Sequence, residues 1–176
     1  AALFPELSGR RRKLAQMTFS MDRAIGRIVD TLDKLGLTNN TLIIFANDNG
    51  GPTDVADSSN HPFSGTKATE LEGGIRVPAF AVWPGHLSPA TNYDQPLSTL
   101  DLLPTFVAAA GGNATAIPDL DGVDVLPYLT SANSRRPHQT LYWREESRAA
   151  VRDGDWKLIR FMDRPAELYD LAKDSA

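Results

Sequence analysis

Cysteine is absent from the 176 residues, so disulfides, thiolate metal sites and cysteine nucleophiles are excluded within this chain. Histidine is scarce. His61, His86 and His138 show neither helical nor zinc-type spacing, which argues against a zinc hydrolase built from this chain alone. No apolar run approaches the roughly 20 residues that span a bilayer. The opening stretch AALFPELSGRRRK lacks the ordered regions of a signal peptide. Positive charge is also in deficit: the net charge is −4, which leaves no basic field for nucleic acid or an anionic membrane. Neither is expected as a partner. Arg10, Arg11 and Arg12 stand alone and read as the solvated start of a helix.

What is present suits one globular domain, or one with a small appendage: 41% of residues are hydrophobic and 23% charged. Met17, Met21, Ala24, Ile25, Ile28, Leu32 and Leu35 recur at three- and four-residue steps, predicting an amphipathic helix over about residues 10–35 that ends near Gly36. The run TLIIFA, residues 41–46, has the length and branching of a strand covered on both faces. A second strand is expected over 75–83, with Pro78 marking an edge or bulge near its start. Residues 98–110 read as a helix, with Pro104 tolerable in its first turn. Beyond about residue 136 the runs shorten and Asp153-Gly154 signals a hairpin, so a small antiparallel sheet is expected there.

Chemistry gathers where the first strand stops. Asp48 and Asn49 follow the apolar run directly, and ligands of open α/β sheets collect at the carboxyl ends of strands. A carboxylate beside an amide oxygen suits a hard cation such as calcium or magnesium, although calcium takes about 6–8 oxygens and two are too few. NDNG is equally a tight-turn sequence, and both readings stand at this point. In GTKATELEGGIRVP, residues 65–78, a lysine between glycines can bring an ammonium against an anionic oxygen. A solvated surface lysine is the plain alternative. Glu70 and Glu72 could act as a carboxylate pair, but Arg76 is near, and pairing within the fold is the expected use of at least one.

The order of these pieces carries a resemblance. MDRAIGRIVDTLDKLGLTNNTLIIFANDNGG, HPFSGTKATELEGGIRVPAFAVWPG, STLDLLPTFVAAAGG, LDGVDVLPYL, VRDGDWKLI and ELYDLAKD follow one another from about residue 17 to residue 174. The chain resembles the carboxyl-terminal part of the type I sulfatases, arylsulfatase-like enzymes of the alkaline phosphatase superfamily. The implied fold class is α/β: part of a sulfatase-type sheet with flanking helices over residues 1–135, then a small antiparallel subdomain over 136–176. The resemblance implies that Asp48 and Asn49 complete a calcium site, with Asp48 also contacting the nucleophile. It implies that Lys67 binds the sulfate and assists the leaving oxygen. Glu72, Gly73, Gly74 and Arg76 match the corner that holds such a lysine. His61, six residues before Lys67, sits at a position the family does not usually assign to catalysis; it is either a loop histidine or a substrate-binding contact. His86 and His138 read as surface or interdomain residues.

Departures from the family pattern shape the functional expectation. Such sulfatases use a formylglycine made within a C/S-x-P/A-x-R signature near their amino-terminal end, and that signature does not occur here. The expected role is therefore a segment of a calcium-dependent sulfuric ester hydrolase, catalytically incomplete without an upstream formylglycine-bearing part. The expected partners are a sulfate ester and that remaining part, with self-association as another way of covering an open sheet edge. Export is expected from the resemblance alone. Two other readings are a phosphonate monoester or phosphodiester hydrolase of the same superfamily, and a noncatalytic binding or assembly remnant.

Overall fold

A computed structural model describes residues 3–131 and 135–174. Residues 132–134, beside the expected domain boundary, and the outermost residues of both expected divisions lie outside the described residues. Contacts divide the chain into two compact units. One gathers the residues up to Thr38, Ile44–Phe80 and those from Thr140 onward; the other holds Asn39–Ile43 and Ala81–Gln139.

In the first unit, α1 (Gly9–Lys34) follows the expected periodicity. It stops in a Schellman motif: Gly36 has φ 68°, its N–H donates to Asp33 O at 2.9 Å, and Leu37 N–H donates to Leu32 O at 2.9 Å. The three arginines at its start are not simply solvated. Arg10 donates to the Val55 carbonyl at 3.0 Å, Arg11 to that of Asp57 at 2.8 Å and Arg12 to that of Pro5 at 3.1 Å. Cations in a first turn oppose the helix dipole, and these charge-assisted bonds to loop carbonyls offset that.

β1 (Ile43–Ala46) and β2 (Ala79–Val82) form a two-stranded sheet, with Phe45 stacked on Phe80 at 4.9 Å between ring centroids. β1 is half-buried rather than covered on both faces, and β2 is its one strand neighbour among the described residues. The expected strand over 75–83 is shorter at its start: a helical turn, α2 (Glu72–Ile75), precedes it. Pro78 lies just outside β2 and accepts from Asn47 N–H at 3.2 Å through its carbonyl.

The carboxyl-terminal sheet is an antiparallel meander of β3 (Thr140–Glu145), β4 (Arg148–Asp153), β5 (Trp156–Arg160) and β6 (Glu167–Asp170), hydrogen-bonded in that order. Asp153 pairs with Trp156, so the hairpin loop is Gly154-Asp155, one residue later than the sequence signal. Gly154, with φ 59°, takes the first central position that a type II′ turn reserves for glycine. Strand alternation puts Lys157 and Ile159 on the buried face and Trp156, Leu158 and Arg160 on the exposed one.

In the second unit, a capping box joins Ser98 and Asp101 at the start of a 3-10 turn leading into α3 (Leu102–Ala109). Pro104 is the third residue of α3 and so falls in the first turn. Asp101 is buried and also accepts from Val123 N–H at 2.9 Å. His138 is not a free surface residue: its Nε2 lies 2.7 Å from Asp101 Oδ1. The segment after α3 ends in a short helix, α4 (Leu126–Leu129), whose lead-in Val125 N–H donates to the buried Thr105 hydroxyl at 3.0 Å. Among the described residues no helix is long and apolar enough to cross a membrane.

Candidate active-site segment

Asp48 is exposed and Asn49 half-buried just past the end of β1. Asp48 Oδ1 accepts the Asn49 N–H at 3.0 Å, and no cationic side chain pairs with this carboxylate among the described residues. Asn49 donates through its amide nitrogen to the Gly50 carbonyl at 2.8 Å. A carboxylate and an amide thus follow one another in the chain just past the strand end.

The segment that follows is woven into the loop carrying Lys67. Gly50 N–H donates to Gly74 O at 2.8 Å, and Gly73 N–H to Ser64 O at 2.7 Å. The Gly51 carbonyl accepts from Lys67 N–H at 3.3 Å, from Asn60 Nδ2 at 2.9 Å and from the Thr66 hydroxyl at 3.2 Å. Backbones this close leave no room for side chains. A Cβ on Gly50 would lie 1.8 Å from Gly73 O, and one on Gly74 would lie 2.2 Å from Thr69 O. Asp48, Asn49 and the main chain of Lys67 are therefore held on one hydrogen-bonded scaffold. The Lys67 side chain is exposed and has no hydrogen-bond or ion-pair partner among the described residues.

Asn60 is the bracket of that scaffold. Its Oδ1 accepts the Gly51 N–H at 2.9 Å, while its Nδ2 donates to Gly51 O at 2.9 Å and to Gly65 O at 3.1 Å. One amide side chain thus replaces a strand neighbour for both segments. His61 follows it with an exposed ring; its main-chain N–H donates to Ser59 Oγ at 3.3 Å.

Glu70 and Glu72 are both buried and both paired within the fold. Glu72 Oε1 accepts from Lys157 Nζ at 2.7 Å, and its Oε2 lies 3.8 Å from Arg76 Nη1. Glu70 Oε1 lies 3.7 Å from Arg148 Nε. Burial, the largest influence, pushes the Lys157 amine below the ordinary lysine range, while its bond to Glu72 acts the other way.

The sulfatase profile matches residues 7–112, and that of the carboxyl-terminal region of N-sulphoglucosamine sulphohydrolase matches residues 66–176. The chain belongs to the sulfatase family. Arylsulfatase A of Bos taurus is 38% identical over 164 residues, covering 88% of this chain and 31% of its own. The crystal structure of Ps i-CgsB in complex with k-i-k-neocarrahexaose matches with a TM-score of 0.88 and 33% identity, over 97% of this chain and 39% of that one. The phosphonate monoester hydrolase of Agrobacterium radiobacter matches with a TM-score of 0.62 and 26% identity, over 87% of this chain and 33% of its own. This sulfatase segment therefore spans less than two fifths of each of these relatives. Its fold is a partial alkaline-phosphatase-like α/β structure with a carboxyl-terminal antiparallel sheet.

For the sulfatase segment, the donor set suits a hard cation in kind: a carboxylate and an amide oxygen. It does not suffice in number, since among the described residues no cluster of three acidic or histidine side chains could hold a metal. Three residues of the scaffold escape a reading of sequence alone. Asn60 looks like one more turn residue in SSNHP. Arg148 looks like an ordinary strand cation. Lys157 had a usable signal: it shares the inward strand period with Ile159.

Proposed function

We propose that this chain supplies the cation-binding and sulfate-binding side of the active site of a sulfuric ester hydrolase. The observation that carries the reading is the shared scaffold. Gly51, two residues past Asn49, accepts the main-chain N–H of Lys67 at 3.3 Å, so the backbones that carry Asp48, Asn49 and Lys67 belong to one hydrogen-bonded unit. In this role Asp48 and Asn49 would help hold a calcium ion through their side-chain oxygens. Bound there, the ion would neutralise charge on a sulfuryl oxygen. Lys67 places its ammonium against another oxygen of the same anion, and charge developing on the leaving oxygen favours a proton or hydrogen bond from it. Asp48 can accept a hydrogen bond from an attacking hydroxyl. His61, exposed on the loop after Asn60, is the candidate contact to the alcohol part of the ester, beside the polar rim residues Asp54, Asp57 and Ser59. That rim suits an alcohol rich in hydroxyls, as does the neocarrahexaose bound by i-CgsB.

No residue of this chain lies in a formylglycine signature, so no step through that group is derived from it. The nucleophile and the remaining cation ligands belong, in this reading, to an upstream part of a longer polypeptide. Export of that polypeptide belongs to the same proposal.

The test is hydrolysis of matched aryl sulfate and aryl phosphate esters by the longer polypeptide. The sulfate should be the faster substrate, and Lys67→Ala should lower its kcat/KM by about 100- to 1000-fold, the usual effect of removing one charge-stabilising donor. Preference for the phosphate or phosphonate ester would instead support the second reading, which the match to the phosphonate monoester hydrolase favours.

A further inference from the structure

Lys67 is held from its amino-terminal side by the Gly51 and Asn60 bonds. The peptide that follows it is held from elsewhere. Ala68 adopts φ 64°, a left-handed conformation that L residues other than glycine, asparagine and aspartate seldom keep without support. Its carbonyl accepts from Arg148 Nη1 at 2.6 Å, across 80 residues of chain. The same guanidinium brings Nε to 3.7 Å from buried Glu70 and pairs with Glu145 through Nη2. Four residues further along the loop, Glu72 receives the Lys157 ammonium at 2.7 Å, and that ammonium also lies 5.3 Å from the centre of the Trp143 ring. Arg148 and Lys157 come from adjacent strands of the carboxyl-terminal sheet, β4 and β5. The loop from Ser64 to Ile75 also closes on itself, Thr69 N–H donating to Thr66 O at 3.1 Å and Gly73 N–H to Ser64 O at 2.7 Å, and the Arg148 and Lys157 bonds tie it to the carboxyl-terminal sheet.

We propose that Arg148 is a positioning residue for Lys67: by holding the Ala68 carbonyl and the Glu70 carboxylate, it fixes the direction in which the Lys67 ammonium leaves the loop. The proposal rests on the reading of Lys67 as the anion-binding lysine. Arg148 touches no reacting atom in this role. It acts through one carbonyl, adjacent in sequence to the lysine it orients. A guanidinium suits the task because its fixed fork can serve a carbonyl and two carboxylates at once. A lysine in its place could reach the carbonyl or one carboxylate.

The experiment is amide hydrogen exchange read by mass spectrometry on the longer polypeptide, comparing wild type, Arg148→Ala, Arg148→Lys, Lys67→Ala and Arg164→Ala. Arg164, in the connection between β5 and β6, pairs with Glu167 of β6 at 3.1 Å and controls for loss of a guanidinium beside the sheet. Arg148→Ala should raise exchange in residues 64–75 about tenfold or more while strands β3 to β6 keep their protection. Arg148→Lys should restore part of it, and Arg164→Ala should leave the loop unchanged. Calorimetric titration with inorganic sulfate should show weakening of about tenfold in Arg148→Ala. Unchanged exchange in 64–75 overturns the proposal. So does protection lost equally across the sheet, which marks a purely structural arginine. A loosened loop, with both Arg148→Ala and Lys67→Ala binding sulfate as wild type does, keeps Arg148 as the holder of the loop and counts against the anion-binding reading of Lys67.

Discussion

Lys157 is 1% exposed, which is rare for a lysine and tolerable only with a partner. Glu72 is that partner, and removing either one strands the other in a dry place. Lys157→Ala should therefore destabilise the chain by about 3–5 kcal/mol, measured by urea unfolding, whereas a loss under about 1 kcal/mol would mean the pair is solvated. The pH dependence has a defined sign. Because burial lowers the folded-state pKa, the unfolded chain binds more protons as pH climbs from that lowered value to about 10.4. Stability contributed by this group is present above the ordinary lysine range and is lost as pH falls through the folded pKa. The stability of wild type minus that of Lys157→Met should accordingly grow as pH rises from the lowered folded-state pKa toward about 10.4. A shrinking difference contradicts the assignment. Asn60 makes the matching case in the scaffold. Asn60→Asp keeps the oxygen that accepts from Gly51 but loses the donors to Gly51 O and Gly65 O, so it should cost about 1–3 kcal/mol and loosen residues 60–75 in hydrogen exchange.

Elements whose cause is local were legible in the sequence. The apolar spacing from Met17 to Leu35 and the glycine at 36 are sufficient to predict α1 as it stands, Gly9–Lys34. The helix expected over 98–110 is there as a 3-10 turn and α3, Thr99–Ala109, and the Asp153-Gly154 signal finds its hairpin within one residue. That turn depends on Gly154 at φ 59°, so Gly154→Ala should cost about 1–2 kcal/mol in denaturant unfolding. A neutral result would mean the turn relaxes to another type. What escaped sequence reading was set by residues far apart. The helical turn α2 forms where Glu72 meets Lys157, 85 residues away. The arginines at the head of α1 bind carbonyls 45 and 46 residues ahead. No periodicity encodes such pairings. Asp48, Asn49 and Lys67 were legible as a motif, whereas Asn60, which ties their segments together, has no pattern beyond being an asparagine in a loop.

At the scale of the whole molecule, several large apolar side chains are left exposed. Met17 is 70% exposed and Ile28 61% on α1, while Tyr142 is 76% and Leu168 62% exposed on the carboxyl-terminal sheet. Contiguous apolar surface of this kind marks an interface or an aggregation hazard. The chain alone should bind a hydrophobic dye and self-associate in sedimentation runs, and the longer polypeptide should do neither. A monomeric, dye-silent chain would show that these faces need no cover. The central claim is that strand-end oxygens and the loop lysine serve one anion beside one cation. Calorimetric titration of calcium, then of sulfate with and without calcium, tests it most directly on the longer polypeptide and its Asp48→Ala and Lys67→Ala variants. The account predicts that Asp48→Ala loses calcium binding together with the calcium-dependent gain in sulfate affinity. It predicts that Lys67→Ala keeps calcium and binds sulfate about tenfold or more weakly, as loss of a charge-assisted bond of about 1.5–3 kcal/mol implies. Equal calcium and sulfate affinities in all three proteins would contradict it.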